Sequence, residues 1–428
     1  MQWSPTSVGM GEPLQLTAVA SDDYGNTIPD LAFLWKAPLG GSVDDTGAFT
    51  LGDQEGRYDV TVRASYKNSE KSARVVVYWD DKVSHFNVDV PPLWIPLGDM
   101  LRPRSNHTAT LLPNGRVLIV GGFSNNRSAE LYDPATGTFS DARRLLSVRQ
   151  DHTSTLLPDG EVLIVGSDCG DPRAELYDPG SGTFTRPTEA KLHQARWRHT
   201  ATLLDNGKVL IAGGVCGPFP NSSLGTAEIY DPATGTFSPT AGNMFEPRAS
   251  HKATLLPNGK VLLAGGIKWQ EESSCAETVE LYDPVTDTFR ETGDTILAEG
   301  CGDETATAPV LPDGRVLVTL SSPLSRLELY NPVTEGFTPG SSWEERIGLT
   351  VTLLPSGLVL IAGGHSPRLE VYDTGLLYDP VSDTFISTIK MTTSRVGQTA
   401  TLLPTGEVLV TGGRPTVQGE VTEQLRSA

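Results

Sequence analysis

Four histidines stand at the head of near-identical segments: His107 before TATLLPNGRVLIVGG, His152 before TSTLLPDGEVLIVGS, His199 before TATLLDNGKVLIAGG and His251 before KATLLPNGKVLLAGG. Imidazole is a ligand for zinc, copper and iron, so the recurrence raises a metal site as one chemistry. A metal needs its ligands within about 2 Å of one ion, whereas copies of one repeat position stay as far apart as the repeats themselves. The spacing therefore favours histidines that hydrogen-bond a neighbouring repeat. Arg104, Arg149, Arg196, Arg248, Arg346 and Arg395 each stand three residues before such a segment, and Glu130, Glu175, Glu228, Glu280 and Glu328 recur in AELY-type runs. Arginine's planar fork matches a carboxylate, so ion pairs within or between repeats are expected.

One copy breaks both registers. Cys301 takes the arginine position and Glu304 the histidine position in AEGCGDETAT, which gathers Glu299, Asp303 and Glu304, while Asp168 and Asp171 stand in SDCGDP of another copy. These carboxylates could bind calcium or a cationic partner, supply an acid and base pair, or be solvated surface charge. Trp269 in GGIKWQEESSC and Phe219 in GGVCGPFPNSS are aromatics that could stack on a sugar, anchor a peptide or plug their own loops, and His365 opens a third long loop. The candidate binding residues are Asp168, Phe219, Trp269, Asp303, Glu304 and His365. No catalytic residue, metal ligand or cofactor is identified.

The elements that position these groups follow from the repeat. Counting Glu304, Leu349 and Gln398 with the four histidines gives seven copies, spaced 45, 47, 52, 53, 45 and 49 residues apart. A period near 50 belongs to solenoids and propellers. Each copy reads as four short strands: A (Thr-x-Thr-Leu-Leu), a Pro-Asn-Gly or Pro-Asp-Gly turn, B (Val-Leu-Ile-Val) ending in paired glycines, C (AELYDP), a second tight turn, and D beginning at Phe139, Phe184, Phe237, Phe289, Phe337 or Phe385. The A-to-B and C-to-D turns are uniform, whereas the B-to-C and D-to-A connections on the opposite face vary and are the place for binding loops.

The doubled glycine, following tyrosine and aromatic resemble the kelch repeat, whose family fold is a β-propeller with one four-stranded blade per copy. The resemblance covers roughly residues 90 to 428. It departs at Thr319 and Leu320, at Ser167, and after Gly413, where no Tyr-Asp-Pro or D-strand aromatic follows. Trp94 lies 13 residues before His107, as Phe139 does before His152, so residues 92–98 are expected to close a seventh blade as its outer strand. Galactose-oxidase-like and glyoxal-oxidase-like enzymes resemble the chain through their seven-bladed ring, but their copper-binding histidine pair and cysteine-linked tyrosine have no confident match here. The nitrile-specifier group's Glu-x-x-x-Asp-x-x-x-His segment is absent. Neither assignment carries over.

Residues 1–82 hold no copy of the repeat. Their alternating runs LQLTAVAS, AFLWKAP, YDVTVRAS and ARVVVYW read as an antiparallel sandwich, and GAFTLGDQEGRYDVTVRAS resembles bacterial immunoglobulin-like modules of surface and secreted proteins. Trp35 is expected in its core. The fold class is thus all-β: an immunoglobulin-like sandwich (1–82), a linker (83–91) and a seven-bladed kelch-type propeller (92–428).

The net charge of −19 argues against nucleic acid and anionic membrane as partners, and no apolar run approaches the roughly 18 residues of a membrane span. The start lacks a signal-peptide pattern, which suits a cytoplasmic protein or one whose targeting segment has been removed. The four cysteines all fall in the variable connections, and Cys169 with Cys216 and Cys275 with Cys301 is the simplest pairing. A scaffold with variable loops and no recognisable reaction centre favours a secreted or cell-surface module that binds a protein or glycan. The alternative is a secreted enzyme acting on a carbohydrate or small metabolite through acidic rim residues, with or without a divalent metal.

Overall fold

The computed structural model describes residues 94–123, 127–167, 171–216, 222–269, 274–293, 301–302, 308–321, 326–343 and 346–416, and seven strands before residue 94. The described elements are all β-strands, so no helix among them is long and apolar enough to cross a membrane. The chain divides into two compact units, residues 1–94 and 95–428.

In the first unit Leu14–Gln15, Ala48–Thr50 and Ser42–Val43 form a three-stranded sheet, and Phe33–Lys36, Gly56–Tyr66, Ser69–Trp79 and His85–Asp89 form a four-stranded one. Its long hairpin pairs Val60 with Val75 and Val62 with Ala73, and Trp35 stands opposite Val62.

The second unit is a β-propeller. Blade 1 runs Thr108–Leu111, Val117–Val120, Ala129–Asp133 and Thr138–Asp141 as strands A to D, each antiparallel to the next. The same order recurs in blades 2 (153–185), 3 (200–239), 4 (252–291), 5 (301–342) and 6 (347–390). Strand B is apolar throughout because both of its faces are covered. Val162 and Ile164 pack with Leu118 and Val120 of blade 1, while Leu163 and Val165 pack with Val209 and Ile211 of blade 3. The core therefore lies between blades, capped by tyrosine–phenylalanine pairs such as Tyr132 with Phe139 and Tyr230 with Phe237, each 4.9 Å between ring centroids.

Among the described residues the expected seven four-stranded blades are corrected to six. The last repeat forms a two-stranded sheet, Thr399–Leu402 with Val408–Thr411, and residues 94–98 of the anticipated closing strand have no strand pairing. Two physical reasons stand out. The repeat lacks the Tyr and Phe that lock strands C and D elsewhere, and Pro96 has no N–H to give to a sheet. Side chains fill the gap instead: Leu97 and Met100 pack with Val117 and Ile119 of blade 1 and with Leu403 and Leu409 of the two-stranded sheet.

Glycines at the end of strand B admit the chain that leads into strand A. Gly213 has φ +62°, and a Cβ there would stand 2.3 Å from the Arg248 carbonyl oxygen and 2.8 Å from His251 Cε1. Gly214 has φ +95° and faces its own blade, with the Trp197 carbonyl 2.7 Å from such a Cβ. The doubled glycine is thus the space into which an arginine–histidine segment is laid from either side.

Candidate functional site

The segment before strand A carries the repeated Arg and His, and the sheet holds both. In blades 1 to 4 a buried guanidinium meets a buried carboxylate of strand C: Arg104 with Glu130 at 2.5 Å, Arg149 with Glu175 at 2.9 Å, Arg196 with Glu228 at 3.0 Å and Arg248 with Glu280 at 2.7 Å. The expected pairing lies within each blade. Neither partner is satisfied by the other alone. Glu130 also accepts the N–H groups of Leu101 (2.7 Å) and Arg102 (3.1 Å), and Arg104 donates to the Gly121 carbonyl at 3.0 Å. Burial lowers each arginine's pKa, and the facing glutamate opposes that shift. In blade 6 Leu376 replaces the glutamate in register, and Arg346 donates instead to Thr374 O at 2.8 Å and Thr374 Oγ1 at 2.9 Å.

The histidines join successive blades, as their spacing predicts. His152 Nε2 shares a hydrogen bond with Thr108 Oγ1 at 3.0 Å, His199 with Thr153 at 2.9 Å and His251 with Thr200 at 2.9 Å. His107 meets Thr399 at 3.0 Å and Thr411 at 3.1 Å, so the belt runs from the two-stranded sheet back to blade 1. Burial first, then the neighbouring arginines, hold His152 down to about 3 and put His107, His199 and His251 well below the usual imidazole value. All four are neutral at physiological pH. Among the described residues no three His, Cys, Asp or Glu side chains converge to hold a metal.

Just before each histidine the backbone turns left-handed. Asn106, Asp151, Arg198 and Ser250 have φ between +48° and +55°, and Gly348 and Gly397 occupy the same repeat position at +73° and +68°. Arg198 N–H donates to the Asp151 carbonyl, Ser250 N–H to the Arg198 carbonyl and Asn106 N–H to the Gly397 carbonyl, each at 2.9 Å. These turns rim a cavity of about 620 Å³ enclosed by the A strands, into which Asn106, Asp151, Arg198, Ser250 and Lys252 all contribute. Asparagine, aspartate and glycine tolerate the left-handed region, but an arginine there costs about 1–2 kcal/mol, so its side chain needs compensation.

Two tryptophans supply it. The Arg198 guanidinium lies 4.8 Å from the ring centroids of both Trp197 and Trp269, whose rings meet edge to face at 5.5 Å. Trp269 is brought there by hydrogen bonds between blades: its N–H donates to Ser223 Oγ at 2.9 Å and its carbonyl accepts the Ser223 N–H at 3.0 Å. Asp151 holds the polar side, 3.7 Å from Arg198 Nε and accepting a hydrogen bond from Asn106 Nδ2 at 3.2 Å. The result is a half-buried aromatic and cationic cluster that reaches the cavity through Arg198, able to stack on a ring and bind an oxygen-rich group at once.

Of the sequence-derived candidates, Trp269 belongs to this cluster. His365 is buried, with Nδ1 2.7 Å from the Ser366 carbonyl of its own loop, and it does not line the cavity. Asp168, Phe219, Asp303 and Glu304 lie outside the described residues, as do Glu299 and Cys169. Asp171 sits in a surface network with Arg173 at 2.8 Å, Ser147 at 2.8 Å and Arg186 at 3.4 Å. Cys275 is disulfide-bonded. Sequence reasoning missed Trp197 and Arg198. The available signal was RWRH, in which an arginine takes the position held elsewhere by Asn, Asp, Ser or Gly.

Comparison with known proteins places these observations. The Kelch motif family model matches residues 196–244, which include the Arg196, Trp197 and Arg198 segment. A fungal alcohol oxidase of the AA5 family, solved in complex with copper, is structurally similar with a TM-score of 0.64 and 18% identity, over 78% of this chain and 75% of that one. At that identity the likeness is one of fold. No curated protein matches the chain.

Proposed function

We propose that the propeller is a binding or scaffold module that recognises a protein or glycan through its B-to-C and D-to-A loop face, centred on Trp197, Arg198 and Trp269. The observation that carries this reading is the Arg198 guanidinium, which lines the cavity and packs against two indoles that meet edge to face. Tryptophan and arginine are enriched among the residues that dominate binding energy, tryptophan through buried area and arginine through its planar, multidentate guanidinium. Residues 1–82 act in this proposal as an immunoglobulin-like spacer, joined through 83–91 to a ring from residue 92 onward that counts the two-stranded sheet as a seventh blade. The bonds from Thr399 and Thr411 to His107 support that count. The proposed location is secreted or at the cell surface, for which the disulfide at Cys275 is support. No copper chemistry is derived for this chain, because the described residues supply no converging ligand set.

Glycan and peptide arrays probed with the full chain test the reading. A bound partner is expected to lose about tenfold or more in affinity on Trp269→Ala, and similarly on Trp197→Ala, measured well below the unfolding midpoint of each variant. Partners held equally well by both variants would move recognition elsewhere. Turnover of an arrayed sugar would favour the enzyme alternative.

A further inference from the structure

We propose that blades 1 and 2 carry a second docking surface, built for an acidic protein segment that also presents apolar side chains. It is separate from the cavity rim, since none of its residues lines the cavity.

The apolar part comes from the repeat. Leu101 and Leu146 stand at one repeat position, three residues before the buried Arg104 and Arg149. Each is fixed there because its N–H donates to the buried glutamate, Glu130 or Glu175, at 2.7 Å. Their side chains consequently stay outside, both 42% exposed, with Val148 beside Leu146 at 36%. Single exposed aliphatic residues need no explanation, but Leu101 and Leu146 recur on connections that buried glutamates hold at successive blades, so their exposed side chains are preorganised.

The basic part surrounds it. Arg102 follows Leu101 and pairs with Asp141 at 2.5 Å, and Asp141 also feels the charge of Arg144. Arg143 and Arg144 are exposed and form no ion pair among the described residues. They are brought to the patch by Leu145, whose N–H donates to the Arg127 carbonyl at 2.8 Å and whose carbonyl accepts Arg127 Nε at 2.9 Å. Arg102 and Arg144 thus act on Asp141, with Arg143 exposed next to Arg144 in sequence, on a chain whose net charge is −19. The basic character ends beyond blade 2: in blade 4 the same position holds Phe245, followed by Glu246, which is paired with Lys268.

Charge complementarity selects the occupant. Arginines around aliphatic side chains match a partner with carboxylates around apolar anchors, and arginine is enriched at protein interfaces for this reason. A uniform polyanion such as nucleic acid would leave the leucines without partners and would meet the repulsion of the remaining acidic surface.

The probe is a short fluorescein-labelled peptide of Asp and Glu interspersed with Leu and Phe, compared with the same peptide carrying Ser for Leu and Phe, and with heparin. Fluorescence anisotropy with the full chain is expected to show binding of the mixed peptide that weakens about tenfold on Arg143→Glu with Arg144→Glu. Leu146→Ser is expected to weaken it about threefold, and raising salt from about 50 to about 300 mM should weaken it as well. All these positions are exposed, so the variants should keep the unfolding midpoint of the parent. No binding of the mixed peptide would overturn the proposal, as would indifference to the charge reversal. Equal binding of the serine peptide or heparin would overturn it too, since that result would show attraction for polyanions without an apolar anchor.

Discussion

Replacing Glu280 by alanine is expected to cost about 3–5 kcal/mol of folding free energy, read as a shift of the propeller's urea transition. The carboxylate is fully buried and holds Arg248 at 2.7 Å, so its loss strands a guanidinium that has no exposure to water. It also leaves the N–H groups of Phe245 and Glu246, which donate to it at 2.9 and 3.1 Å, without an acceptor. The double variant Arg248→Met with Glu280→Leu makes the prediction sharper. Buried ion pairs can often be exchanged for apolar residues at little cost. Here the exchange also removes the donor to Gly265 O, at 3.0 Å, and the acceptor of the two N–H groups, so the double variant should remain at least about 2 kcal/mol less stable than the parent. Full recovery would show that the pair contributes only charge balance. By contrast, Asp141→Ala, at an exposed pair, should change stability by less than about 1 kcal/mol.

Acid should open the ring well before the carboxylates titrate. His107, His152, His199 and His251 are neutral in the folded chain, with pKa values below the ordinary 6.5, and His152 lies near 3. The charges facing them are also cationic: Arg104 and Arg149 near His152, Arg196 near His199, and Arg248 with Lys252 near His251. Stability from these groups is therefore complete above 6.5 and is lost as pH falls below it, because the unfolded chain takes up protons that the folded chain refuses. Each histidine adds a slope of about 1.4 kcal/mol per pH unit, so four together give up to about 5 kcal/mol per unit below pH 6. Depressed carboxylates such as Glu246, brought down to about 2 by Lys268 and Thr278 against its burial, add their losses only at lower pH. His152→Gln should make the slope of unfolding free energy between about pH 6 and 4.5 shallower by about 1.4 kcal/mol per unit. Glutamine is the apt replacement because Gln398 already fills this position in the last repeat, donating to Ala362 O at 2.8 Å. An unchanged slope would mean that His152 is protonated in the folded state.

The residues that recur were legible because recurrence is itself structural information. A histidine at one register position in four copies, with a threonine in the following strand, can repeat only if each copy meets its neighbour in the same way. The His–Thr belt and the Arg–Glu pairs follow from that. The cluster at the rim was legible in part. Trp269 stood out as an aromatic in a long loop, but its partner Trp197 and the cation packed against both come from the preceding repeat, joined through Ser223. The basic patch was invisible in a chain of net charge −19, since Arg102 and the Arg143–Arg144 pair are about 40 residues apart and meet only through Asp141.

By itself the sequence determined the all-β class, the four-strand order of each blade, the tight turns and the side-chain belts that tie one blade to the next. Each of these depends on a local period of two or on a repeat of about 50 residues, and both are written in linear order. The tertiary structure alone decided that, among the described residues, six repeats complete four strands while the last shows two, because a strand exists only where a partner supplies its hydrogen bonds, and Leu97 and Met100 pack there through side chains instead. It alone decided, too, that Arg198 packs against two tryptophans, for that contact depends on a left-handed turn and on two blades meeting, neither of which has a spacing to be read.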